Sequence, residues 1–130
     1  MLPLCLSFVG YYMYIESSSP QKPGDRARLI SPTYPAAKEY QCLQFYYHQY
    51  GADIGSLNVF KRDIGGSLTP SSIFTSIGNR FDEWHVAEVN FVASKPYSII
   101  FEGIIGKGFE GVSDSLPSFS VLNRGIRMTL

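Results

Sequence analysis

This sequence predicts an all-β fold, an antiparallel sandwich or barrel, and three observations carry the prediction. Six short runs are rich in aromatic and β-branched residues, and turn-rich segments separate them. No long stretch keeps a period of 3.6, because eight prolines and twelve glycines interrupt the 130-residue chain. Aromatic residues make up 15% of the chain, nine Tyr and nine Phe, and flat rings suit a pleated, half-buried surface.

The elements follow in order. Residues 11–17, YYMYIES, are β-rich and stop at the polar turn Ser17–Pro20. RARLIS (26–31) follows the turn at Gly24-Asp25, should turn Ala27 and Leu29 inward, and ends at Pro32. CLQFYYH (42–48) puts Leu43, Phe45 and Tyr47 on one face and Cys42, Gln44, Tyr46 and His48 on the other. SLNVFKR (56–62) enters from Gly51 and Gly55 and sends Leu57 and Val59 inward. EWHVAEVNFV (83–92) alternates Ala87, Val89 and Phe91 against Glu88 and Asn90, with Trp84 expected to cover the end of the sandwich. YSIIFEG (97–103) alternates Tyr97, Ile99 and Phe101 against Ser98, Ile100 and Glu102. A weaker strand is expected at 73–76, and a faint alternation remains at Phe119–Leu122.

Composition narrows the function. At 130 residues the chain is one domain, long enough to bury a core. Eleven basic and eleven acidic residues cancel, so the electrostatic footprint of a nucleic-acid binder is missing. No apolar run is long enough for a membrane-spanning helix. The apolar run 1–9, MLPLCLSFV, is read as a leader, a weak or uncleaved signal segment. No Lys or Arg precedes it and no small-x-small cleavage site follows.

Chemistry-bearing constellations are scarce. His48 and His85 each stand alone in a strand, short of the three or four ligands zinc takes. No G-x-S-x-G elbow is present. GIIGKGFEG (103–111) lacks the Lys-Ser/Thr of a phosphate loop and reads as glycine turns. Asp82-Glu83 and Glu102/Glu110 read as solvated turn charges rather than a catalytic pair. No catalytic, metal or cofactor-binding residue is assigned, and no cofactor is expected. Tyr46, His48 and Tyr50 form a candidate interaction surface, since tyrosine is favoured at interfaces. Half-buried sandwich tyrosines are the plainer alternative.

Three ordered pieces carry a family resemblance: YYMYIESSSPQKPGDRARLISP (11–32), CLQFYYHQYGADIGSLNVFKR (42–62), and Trp84 followed by AEVNFVASKPYSIIFEGIIGKGFEG (87–111). Together they resemble the MAM domain, the module of meprins, neuropilins and receptor tyrosine phosphatase mu. The resemblance implies a jelly-roll-like β-sandwich in an extracellular or cell-surface setting. It also implies a non-catalytic role in adhesion, with a protein partner, homophilic contact included. No nucleic acid or small-molecule substrate is expected, and membrane association would come only through a parent protein.

The resemblance also sets expectations about the ends. The family pattern opens with strands carrying two cysteines and closes with Gly-Asp and a final cysteine. Here 1–9 and 112–130 differ, so the sandwich is read as incomplete. That reading gives a leader at 1–9, a partial domain at 10–111 and a divergent, weakly ordered tail at 112–130. Cys42 resembles the family cysteine whose partner is the final one. With that partner absent, Cys42 is expected either as an unpaired thiol or in an unusual bridge, for which Cys5 is the candidate. The family's calcium site draws on acidic residues near the replaced ends, so calcium is not expected. Two further function classes stay open beside adhesion. One is a carbohydrate-binding jelly roll, and the other is a truncated product without independent function.

Overall fold

The computed structural model describes residues 13–16, 22–51, 55–66, 72–78, 80–106 and 118–123; for 13–16 and 118–123 it describes the backbone alone. Eight strands appear in order: β1 Met13–Glu16, β2 Arg26–Ile30, β3 Ala37–Tyr50, β4 Ser56–Asp63, β5 Phe74–Ile77, β6 His85–Ala93, β7 Tyr97–Ile104 and β8 Ser118–Asn123. They form two four-stranded sheets, β1-β8-β3-β6 and β2-β7-β4-β5, and every pairing is antiparallel. Consecutive strands mostly change sheet, so the connections between layers are arches rather than hairpins. The β4–β5 hairpin is the exception. This is an all-β sandwich of jelly-roll type.

The alternating patterns explain how the layers meet. Phe45 of β3 is fully buried and packs edge-to-face against Phe74 of β5 and Phe101 of β7, each at 5.1 Å between ring centroids. Leu43, Ala87 and Phe91 of the first sheet face Leu57, Val59, Tyr97 and Ile99 of the second. Phe91 and Tyr97 meet edge-on at 5.3 Å, closing the core at the end where β6 passes into β7. Tyr34 forms an isolated bridge to Tyr97 and seals the same end, with ring centroids 5.7 Å apart. Burial pushes both phenols above their ordinary value of 10.0, and at Tyr97 the neighbouring Tyr34 adds to it.

Gly55 is required by close approach. A Cβ there would overlap the carbonyl oxygen of Ile104, where β4 begins against the end of β7. Its own carbonyl accepts from Gly78 N at 2.8 Å and ties off β5.

Within the strands the start of β3, the exposure of Ala27 and the burial of Glu102 depart from expectation. β3 begins at Ala37, five residues ahead of the expected start, and a register irregularity between Ala37 and Gln41 accommodates the extra length. β8 coincides with the faint alternation noted at Phe119–Leu122, and it pairs with both β3 and β1. Ala27 is exposed because β2 is an edge strand, and only Leu29 packs against the core. Glu102 is 3% exposed rather than solvated. Arg28 Nε donates to its Oε2 at 2.7 Å, and Arg26 stands 3.9 Å away, both from the neighbouring β2. β7 is central in its sheet and buried on both faces, its outward Ser98, Ile100 and Glu102 included.

Candidate interaction surface

Even-numbered residues of β3 turn away from the core. Gln44, Tyr46, His48 and Tyr50 therefore share the outer face of the first sheet, half-buried, while Phe45 and Gln49 are wholly inside. On β6 the same parity brings out Val86, Glu88, Asn90 and Val92. In register, Tyr46 lies opposite Val86, and Gln44 opposite Glu88. Gln44 Nε2 donates to Glu88 Oε2 at 3.3 Å, which holds that carboxylate on the face.

Trp84 belongs to this face. It was expected to cover the sandwich end; instead it stands one residue before β6 at the outward parity and is 45% exposed. Its ring meets the His48 imidazole at 5.5 Å, and His48 meets Tyr50 at 6.2 Å. The three predicted residues thus lie together on one strand. The structure adds Trp84, from the segment leading into β6, and Val86, from β6 itself, beside them.

Two histidines clasp that segment. His48 Nε2 donates to Asp82 Oδ1 at 2.9 Å, and His85 Nε2 donates to the Arg80 carbonyl at 2.7 Å. His85 also stacks on Tyr47, its register partner, at 5.4 Å. The two histidines are therefore not isolated. They sit on neighbouring strands and grip one connection from opposite faces of the sheet. Arg80 anchors the far end through Arg80 N to the Gln49 carbonyl at 2.8 Å and Arg80 Nε to Ser76 Oγ at 3.2 Å.

Within this clasped segment Phe81 adopts φ 65° and is 70% exposed. A bulky residue in the left-handed region carries a local conformational cost, and such costs cluster at functional sites. Asp82 and Glu83 are exposed beside it, as expected for turn charges. Among the described residues no group of three or more His, Cys, Asp or Glu could hold a metal.

Cys42 also lies on the outer side of β3, opposite Asn90, and it is disulfide-bonded. The unpaired-thiol expectation is thereby set aside. The one other cysteine in the sequence, Cys5, and the leader 1–9 lie outside the described residues.

The family model "MAM domain, meprin/A5/mu" matches residues 6–114. The MAM domain-containing glycosylphosphatidylinositol anchor protein 1 of Homo sapiens is 44% identical over 102 residues, covering 78% of this chain and 11% of the relative. The same protein of Gallus gallus is 45% identical over 102 residues, with the same coverage. The MAM domain-containing glycosylphosphatidylinositol anchor protein 2 of Mus musculus is 40% identical over 110 residues, covering 78% of this chain and 12% of the relative. The chain belongs to the MAM domain family. It spans only about a tenth of the length of these curated relatives.

Proposed function

We propose that the chain is a non-catalytic, MAM-type recognition module that works at the cell surface in adhesion. Its partner is a protein that binds the outer face of the first sheet. One observation carries the site: Tyr46, His48, Tyr50, Trp84 and Val86 lie side by side on the outer face of the first sheet, with the rings of Tyr50, His48 and Trp84 in series and Trp84 and Val86 the most exposed. Tyr and Trp dominate interface hot spots because they supply large contact area at low conformational cost. The acidic rim of Asp82 and Glu83 would set orientation. Support for the cell-surface setting comes from family membership and from the anchor in the printed names of the relatives.

Binding of the labelled, folded chain to intact cells tests the reading. The wild-type chain should be retained on cells, and Trp84→Ala, with an unchanged far-UV spectrum, should lose at least about tenfold in affinity. Failure of the folded wild-type chain to bind any cell type would sink the proposal.

Carbohydrate recognition is the second reading, because a half-exposed Trp84 can serve as a stacking platform. Trp84 is the sole tryptophan, so its emission reports this place alone. Glycans that shift that emission favour the second reading, and an unchanged emission favours the first.

A further inference from the structure

A strand at the end of a sheet carries a row of unpaired backbone donors and acceptors, and proteins usually keep such strands short or interrupted. Four of the described strands end a sheet. β1, β2 and β5 are four or five residues long. β6 is nine residues long, and no described strand pairs with its far side. It contains neither proline nor glycine, and its outward Val86 and Val92 are 56% and 52% exposed. The Lys61 ammonium donates to the Val92 carbonyl at 3.0 Å and attends only the C-terminal end.

We propose that β6 pairs edge to edge with β6 of a second copy of this chain, antiparallel, about a two-fold axis at Val89. The first sheet then runs continuously across two molecules. The sequence of the strand selects this register. With Val89 opposite its own copy, Val86 meets Val92 and Glu88 meets Asn90 on the outer face. Ala87 meets Phe91 on the inner face. The exposed valines cover one another, and each carboxylate faces an amide donor. Shifting the axis to residue 88 sets Glu88 against its own copy, and shifting it to residue 90 sets Glu88 against Val92. Both cost stability, since cross-strand pairs on one face are the unit of sheet energetics. Face parity excludes shifts that leave the axis between residues.

The contact is formed by the backbone edge and by Val86, Glu88, Asn90 and Val92; it shares Val86 with the recognition face but none of the rings around His48. It therefore stands or falls apart from the recognition role proposed above. One strand pairing buries less than about 1,200 Å², so the association is weak, with Kd of about 10–1,000 μM.

Sedimentation equilibrium of the full chain, from low micromolar to about millimolar concentration, tests it. Wild type should show a reversible monomer–dimer equilibrium. Asn90→Glu places two Glu–Glu contacts in each dimer and should weaken it about tenfold. Asn90→Lys replaces both with opposite charges and should tighten it several-fold. Position 90 is exposed, so both variants keep the fold. Trp84→Ala should leave the dimer unchanged, which separates this contact from the ring cluster. Amide exchange at 88–90 should slow as concentration rises. A chain that stays monomeric at millimolar concentration, or equal affinities for the two Asn90 variants, overturns the proposal.

Discussion

Phe45 sits where three strands from both layers converge, so its removal measures how far the aromatic cluster holds the sandwich together. The side chain is fully buried and touches Phe74 and Phe101 edge-to-face at 5.1 Å, with Tyr47 at 6.0 Å. Truncating such a phenylalanine to alanine typically costs about 3–5 kcal/mol, from lost transfer energy plus the cavity left behind. Each aromatic pair adds about 0.5–1.5 kcal/mol beyond area, which places Phe45→Ala toward the upper end. Phe45→Leu keeps most of the volume and loses mainly the ring geometry, for about 1–2 kcal/mol. At about 2.1 cal/mol/K per residue, a domain of this length unfolds with about 0.27 kcal/mol/K of entropy near its midpoint. A 4 kcal/mol loss then lowers Tm by about 15 °C, and the leucine variant lowers it by about 4–7 °C. Scanning calorimetry of the three proteins reads both shifts. An alanine variant within about 1 kcal/mol of wild type would refute the cross-layer cluster as the centre of the core.

Three further outcomes follow from the same geometry. Arg28→Ala should destabilise the chain by about 2 kcal/mol in urea titrations, because the buried Glu102 keeps only a 3.9 Å neighbour, whereas Arg26→Ala should cost under about 0.5 kcal/mol. Equal costs would mean that Glu102 is not held through Arg28. Gly55→Ala should cost at least about 2 kcal/mol, because the new methyl meets the Ile104 backbone rather than a yielding side chain; a neutral result would contradict that close approach. The raised phenols of Tyr34 and Tyr97 stabilise the fold fully below pH 10, the ordinary tyrosine value, and that contribution is lost as pH rises through their higher folded values. Urea midpoints should therefore fall above pH 10, and Tyr97→Phe should flatten the fall. An unchanged slope in that variant would rule Tyr97 out.

What the sequence disclosed depended on how each strand is buried. β4 and the inner face of β7 were legible because Leu57, Val59, Tyr97, Ile99 and Phe101 alternate strictly and all reach the core. The start of β3 was hidden because Lys38, Glu39 and Tyr40 are exposed, so their pattern resembles that of a loop. β8 carried only a faint alternation, and its place in the first sheet depends on pairing with β3 residues far earlier in the chain, from Phe45↔Asn123 to Tyr50↔Ser118. Such pairings leave little local trace. The interaction surface was half legible: alternation put Tyr46, His48 and Tyr50 on one face. Trp84 was misplaced although its even number sets it with Glu88 and Asn90, because it stands ahead of the alternating run and was read as a cap on the sandwich end. Glu102 was read as a turn charge because nothing local to it announces the two arginines that β2 brings from more than seventy residues away.

The strand orders also bear on how the chain is made. Every strand of the second sheet lies between residues 26 and 104, so that layer can close once this stretch has emerged from the ribosome. The first sheet cannot. β1, the earliest described strand, is joined to the rest only through β8, the last. Until residues 118–123 arrive, β3 lacks its partner on one side and β1 has no place to dock. Synthesis at about 5–20 residues per second leaves that edge open for roughly a second or more, long enough for a chaperone or a neighbouring nascent chain to find it.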